Sequence, residues 1–355
     1  MTKMNKDQLQ EMLNKRPFLY AMYRLLKFRN NKDYLNRVNN QTPEFYLPSN
    51  TFHLSTGRTY YVMERDWGIN GFFAIMCFCL MDFAVADSLG FIPYVNINQS
   101  LYNVKGGWRG VDNMYEYYFM QPIPDSLERI KREENFFYAN LSNRQGIMNA
   151  VKECENYVYG DEQLQYLGSI AKKYMRIRPE LEQELNAEIT EILGDHKTIG
   201  IHFRGSDYRQ GFKSHPLALT VEQYYDCIDE AMKAGFEQIF LATDDTAAVE
   251  AFRARYGNAV RIYNDVVRTE GTTGVHMMEH KDEDKYGLGR EVLRDMLTLS
   301  KCSGLIAGLS NVSKFVRIWK YAQGDTFEYQ QIMNNGFYQK NSREAKAAWK
   351  LHKSR

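Results

Sequence analysis

Blocks of apolar and polar positions alternate along this chain, and each block has the length of a strand or a helix. RTYYVM is apolar and rich in aromatic and branched residues, which predicts a strand over 59–63 and a loop over 64–70. GFFAIMCFCLMDFAVADSL comes next and is apolar on every face, which predicts a buried helix over 71–89. Asp82 and Asp87 interrupt it, so the unbroken part is too short to cross a bilayer. A strand over 91–96 completes a βαβ unit, in which the two strands run parallel. SLERIKREENFFYANL then predicts a helix followed by a strand.

The second half alternates more regularly. Strands are expected over 198–203, 237–243, 260–263 and 303–307, and helices over 220–234, 246–256, 288–301 and 311–322. That order predicts a doubly wound α/β domain. Residues 162–193 are polar, helix-rich and contain Pro179, and are expected to connect two domains. The expected division is a basic segment over 1–50, an α/β domain with its helical connection over 51–190, a second α/β domain over 191–325, and a C-terminal segment over 326–355. Two such domains face each other across a cleft.

Length and composition agree with this. The chain has 355 residues, 44% of them hydrophobic and 25% charged, enough for two cores. A net charge of +1 argues against a dedicated nucleic-acid binder. Cys77, Cys79, Cys154, Cys227 and Cys302 are odd in number and scattered, which suits reduced thiols in a cytoplasmic protein rather than disulfides or a zinc site. Residues 1–40 carry nine basic and three acidic side chains. That segment suits an ordinary amphipathic helix packed on the domain, or peripheral contact with the anionic inner face of a membrane.

Ligands of open parallel sheets bind beyond the carboxyl ends of the strands. Three such ends in the second half carry polar residues. His202, Arg204, Ser206 and Asp207 follow the first strand, Thr243, Asp244 and Asp245 the second, and Ser310, Asn311 and Ser313 the last. Arginine is a forked donor for phosphate oxygens, and the free N–H groups of a helix start attract anions. A carboxylate can accept from ribose hydroxyls and base N–H groups. These parts suit a nucleotide diphosphate. Each also has a plainer use: Asp245, Ser310 and Asn311 suit helix caps, and Arg204 suits an ion pair. Asp295 lies on the apolar stripe of its helix and must meet a donor, either in an internal cap or ion pair or in a purine or ribose contact. HMMEH, from His276 to His280, has the spacing of a zinc-protease motif but sits between glycine-rich and charged stretches, so a loop without metal is expected. Asp282, Glu283 and Asp284 are expected to be a solvated charge run, and GLGREV has no strand before it.

IGIHFRGSDY, IFLATDD and GREVLRDMLTLSKCSGLIAGLSNVSKFVR resemble, in order and spacing, the donor-domain motifs of the α1,6-fucosyltransferase superfamily. The resemblance spans residues 197–320, with a weaker extension over 57–121 that includes DWGINGFFAIMCFCL. It implies a GT-B-like fold of two Rossmann-like domains, GDP-fucose as donor substrate, a glycan acceptor, inversion at the anomeric carbon and no metal or other cofactor. By the same resemblance Arg204 contacts the β-phosphate, His202 lies near the nucleoside, Asp295 holds guanine and Ser310 or Asn311 lies near the phosphate. Tyr224 falls near a motif tyrosine, and Asp207 and Asp245 fall within motifs. Two departures stand out. Relatives often carry a second arginine where this chain has Gly205, and a glutamate base where this chain has no acid between Asp207 and Glu222. The base is then sought among Asp207, Glu64 and Asp66. A transferase using another nucleotide sugar, or a binding protein without turnover, are the alternatives.

Overall fold

The computed structural model describes residues 22–23, 26–27, 29–30, 45–46, 57–64, 68, 70–139, 159–205, 207–210, 215–270, 274–275 and 278–338. Most of the basic segment, Asp66, Ser206 and His276 therefore lie outside the described residues.

The first unit holds strands β1 (Phe45–Tyr46), β2 (Thr59–Glu64), β3 (Ile92–Asn96), β4 (Phe119–Met120), β5 (Asn135–Tyr138) and β6 (Arg176–Ile177). Its helices are α1 (Phe72–Leu89), α2 (Tyr115–Tyr118) and α3 (Leu127–Glu133). The main sheet has the order β1-β5-β2-β3, with β2 parallel to both β3 and β5. Helix α1 is the crossover of the expected βαβ unit. Among the described residues it alone is long and apolar enough to cross a membrane, but 72% of it is buried within the fold. Its apolar surface is covered on several sides, which is why its sequence shows no polar face.

Helices α4 (Asp161–Tyr174) and α5 (Pro179–Leu193) link the units. Pro179 stands in the first turn of α5, where its missing N–H costs nothing. The second unit comprises β7 (Thr198–Phe203), α6 (Glu222–Lys233), β8 (Gln238–Thr243), α7 (Thr246–Tyr256), β9 (Val260–Arg261), α8 (Lys285–Lys301), β10 (Gly304–Gly308), α9 (Asn311–Ala322) and β11 (Tyr329–Met333). Its sheet is wholly parallel, in the order β11-β10-β7-β8-β9. Every residue of β7, β8 and β10 is buried, as strands covered on both faces must be. Strand β11 was not apparent in the sequence: YQQIM sits at the sheet edge, half exposed, with no regular alternation.

The two units share one core. Helix α4 packs on α9 and α1, and a side chain at Gly168 would run into Tyr321 and the carbonyl of Ile318, so glycine permits the close approach. Glu188 of α5 binds Arg290 and, at 2.5 Å, Arg294 of α8; Arg294 also reaches Asp265 at 2.6 Å. The arrangement is GT-B-like: two Rossmann-like units facing a cleft. From β7 the chain builds outward to β9 on one side, then crosses to β10 and β11 on the other. The switch point lies between β7 and β10, where doubly wound sheets open a binding crevice.

Candidate active site

A cavity of about 480 Å³ occupies that crevice, within the size range of small-ligand sites. The register sets its floor. His202 is opposite Ala307, and Phe203 opposite Thr243, so the ends of β7, β8 and β10 are level. Arg204 leaves β7 and pairs with Asp244 at 2.8 Å, with both side chains on the cavity wall. The carboxylate of Asp244 also accepts from the Gly205 N–H at 3.3 Å. His202 is buried below them, and Tyr224 donates to its backbone carbonyl at 3.1 Å. Burial and the nearby Arg204 charge pull the His202 imidazole down to about 4, so it is neutral at physiological pH.

Two helix starts open onto the cavity. Ser310 caps α9 and forms a reciprocal capping box with Ser313, while Asn311 and Val312 line the wall. From the other unit, residues Asn70 to Ala74 at the start of α1 line the opposite wall. Gly71 offers α1 no side-chain cap; the Phe72 N–H donates to the Tyr102 hydroxyl at 2.9 Å. Neither helix has an acidic residue in its first turn. The positive ends of two helix dipoles therefore face one space without an internal counter-charge.

The far end of the cavity is different. Val266, Val267, Leu288 and Val292 make it apolar, and Asp295 and Glu291 of α8 make it acidic. Glu291 accepts from the Val267 N–H at 3.0 Å. Asp295 has no hydrogen-bond partner among the described residues, and desolvation pushes its carboxyl up to about 7 against the pull of Arg294 and Arg268. An unsatisfied acceptor in an apolar slot suits a planar ligand that brings its own N–H donors.

A family model of the α-(1,6)-fucosyltransferase N- and catalytic domains matches residues 108–317, more than half of the chain. The chain belongs to the α-(1,6)-fucosyltransferase family. It is a glycosyltransferase. Solved structures of low identity are similar to it over most of their length. A NodZ α-1,6-fucosyltransferase soaked with GDP-fucose gives a TM-score of 0.46 at 13% identity, covering 74% of this chain and 92% of that one. The NodZ fucosyltransferase from Bradyrhizobium gives 0.45 at 14%, covering 76% and 93%. POFUT1 in complex with GDP-fucose gives 0.40 at 10%, covering 78% and 97%.

In this fucosyltransferase-family chain the fold gathers His202, Arg204, Thr243, Asp244, Asp295, Ser310 and Asn311 around one cavity. Ser313 lies beneath, its hydroxyl donating to the Gly308 carbonyl at 2.7 Å. Asp245 is turned away from the cavity. Its carboxylate caps α7 by accepting from the Ala247 N–H at 3.0 Å and pairs with Arg209, so the plainer reading of that residue describes its place. Glu64 is not on the cavity wall either: Lys131 holds it at 2.9 Å and Asn96 at 2.9 Å, contacts from distant elements that spacing does not reveal. Asp207 opens a 3-10 turn, Asp207–Gln210, just past the strand end. The ring of His280 meets the Val275 carbonyl at 2.6 Å, and no group of three or more His, Cys, Asp or Glu is placed to hold a metal among the described residues.

Sequence reasoning overlooked Lys314, Tyr102, Tyr159 and the start of α1, all on the cavity wall. Lys314 had a signal: it lies one helical turn past Ser310 and so shares its face.

Proposed function

We propose that this chain transfers fucose from GDP-fucose to a glycan hydroxyl, with inversion and without a metal. The observation that carries the reading is the polarity of the cavity, cationic with two helix starts at one end and apolar with a bare carboxylate at the other. In the proposed pose the diphosphate lies at the cationic end, between Arg204 and the starts of α1 and α9. Guanine lies at the other end, its N–H groups donating to Asp295. As the bond from the anomeric carbon to the phosphate oxygen breaks, negative charge grows on the β-phosphate. Fixed positive charge and N–H dipoles aimed at that oxygen lower the barrier without reorganising. This is the service that a divalent cation performs in other transferases, so no metal is called for.

Inversion needs the acceptor oxygen to attack opposite the leaving phosphate and to lose its proton. A dissociative transition state makes only a weak demand on the base. Asp207, beside the strand end, and Asp66, which lies outside the described residues, are the carboxylates assigned to this step. Separate Asn replacements tell them apart, since the base alone lowers turnover with donor affinity unchanged.

The test is a transfer assay with GDP-fucose, GDP-mannose and UDP-sugars over a panel of glycans, with and without EDTA. The expected result is GDP-fucose turnover that is insensitive to EDTA and gives a β-phosphate to α-glycoside inversion by NMR. Retention of configuration, or loss of activity in EDTA restored by a divalent ion, contradicts the mechanism.

A further inference from the structure

Glu291 has no part in the proposed reaction, yet it stands on the cavity wall. It is a half-buried residue of α8, one helical turn before Asp295. Its Oε2 accepts from the Val267 N–H at 3.0 Å. Among the described residues Oε1 has no hydrogen-bond partner and the carboxylate makes no ion pair. The two guanidinium groups nearby serve other partners. Arg294 pairs with Glu188 and Asp265. Arg268 donates to the Val266 carbonyl at 3.2 Å and to the Tyr263 carbonyl at 2.8 Å. Desolvation pushes the Glu291 carboxyl up from its ordinary value. A ligand that donates hydrogen bonds to Oε1 offsets that cost.

The direction of α8 decides which part of a ligand reaches this oxygen. Just past the end of α8, the Ser303 N–H donates to the carbonyl of Thr198, the first residue of β7, at 3.0 Å. Leu299, near that end, packs so closely on Gly200 that a Cβ there would lie 3.0 Å from it. The end of α8 therefore lies at the amino ends of the strands, and its start at their carboxyl ends, where Arg204 and the start of α9 stand. Going back from Asp295 to Glu291 moves about 6 Å toward that edge. The ribose of a nucleotide lies between its base and its phosphates. A base on Asp295 and a diphosphate at the strand ends thus bring the ribose to the level of Glu291. Val266, Val267, Leu288 and Val292 line this end with apolar side chains, so they offer its hydroxyls no partner. The like charges of Glu291 and Asp295 also keep the phosphates from entering this end.

We infer that Glu291 accepts from the ribose hydroxyls of the donor nucleotide through Oε1, and so selects a ribonucleotide. This rests on the donor site proposed above and adds a residue to it. A ligand without those hydroxyls leaves the desolvated carboxylate with nothing in exchange, which is how a polar site rejects a deoxy analogue.

The test compares GDP with 2′,3′-dideoxy-GDP by calorimetry in EDTA on wild type, Glu291→Ala and Glu291→Gln. Hydrogen bonds to charged groups are worth enough that wild type should prefer GDP about 10- to 100-fold. Glu291→Ala should lose GDP affinity by a similar factor and bind the dideoxy nucleotide within about twofold of wild type. Glu291→Gln, which keeps an acceptor of the same size, should recover part of the preference. A wild type that binds both nucleotides equally overturns the inference. So does an equal loss of both in Glu291→Ala and Glu291→Gln, which marks Glu291 as a pin for the Val267 backbone. A wild type that binds neither nucleotide overturns the donor reading itself; if it binds UDP instead, UDP and 2′,3′-dideoxy-UDP replace the pair and the same comparison decides Glu291.

Discussion

The carboxyl of Asp295 should make nucleoside binding depend on pH near neutrality. Desolvation in the apolar end of the cavity raises it from 3.8 to about 7. Guanine offers donors at its N1 and exocyclic amine, so only the carboxylate form of Asp295 accepts from both. Below the shifted value most molecules hold a proton at Asp295, and binding must first displace it. One unit below, the ionised fraction is about one in eleven; one unit above, it is about ten in eleven. Affinity should therefore rise about tenfold from pH 6 to pH 8, which is roughly 1.4 kcal/mol, and level off above. The assay is calorimetry with guanosine rather than GDP, because phosphate has its own ionisation near pH 6. His202, pulled down to about 4, does not titrate in this window. Asp295→Asn should abolish the dependence and bind guanosine weakly at every pH. The linkage to folding has the opposite sense. A carboxyl raised by folding makes the empty protein less stable as pH climbs from its unfolded value toward about 7. Asp295→Asn should thus raise the melting temperature of the empty protein at pH 8 and leave it unchanged at pH 4. Guanosine affinity that is flat between pH 6 and 8, with no change in Asp295→Asn, refutes this placement of the base.

Other substitutions test the surrounding frame. Arg204→Ala removes the cation that pairs with Asp244, so the informative variant is Arg204→Ala with Asp244→Asn; it should melt like wild type yet lose about 10²- to 10³-fold in transfer rate. Gly205→Ala forces a methyl against Asp245 and the Phe203 ring and should cost about 1–3 kcal/mol in urea unfolding, with weaker donor binding as the Asp244 contact shifts. Glu188→Ala removes a shared partner of Arg290 and of the buried Arg294, and should cost roughly 3 kcal/mol because, among the described residues, Asp265 is then the one carboxylate paired with Arg294.

Much of the second unit was legible because its strands are buried on both faces. Such strands are continuous apolar runs with abrupt polar ends, so β7, β8 and β10 and the helices between them could be placed to within a few residues. The same abrupt ends marked Arg204, Asp244 and Ser310, since a polar residue after a buried strand must emerge at the sheet edge. Helix α1 was legible for a related reason: it lacks a polar face because both units cover it. What escaped notice depends on contacts across the chain. Glu64 looked like a cleft acid, but Lys131, far along the chain, holds it elsewhere. Asp245 and Asp244 are adjacent and chemically alike, and only the backbone path decides that one caps α7 while the other faces the cavity. Lys314 reads as a surface lysine because burial on an amphipathic helix depends on what packs over it, here α1 and Tyr159. Asp295 is the reverse case. A carboxylate on an apolar stripe is anomalous in the sequence itself, and it stays unsatisfied in the fold.

The most direct test of the account is calorimetric titration of the wild-type protein with GDP and with UDP in EDTA. A cavity that clamps a diphosphate between Arg204 and two helix starts, and matches guanine to Asp295, should bind GDP at micromolar concentrations and UDP at least tenfold more weakly. UDP binding as tight as GDP binding, or GDP binding that requires a divalent cation, contradicts it.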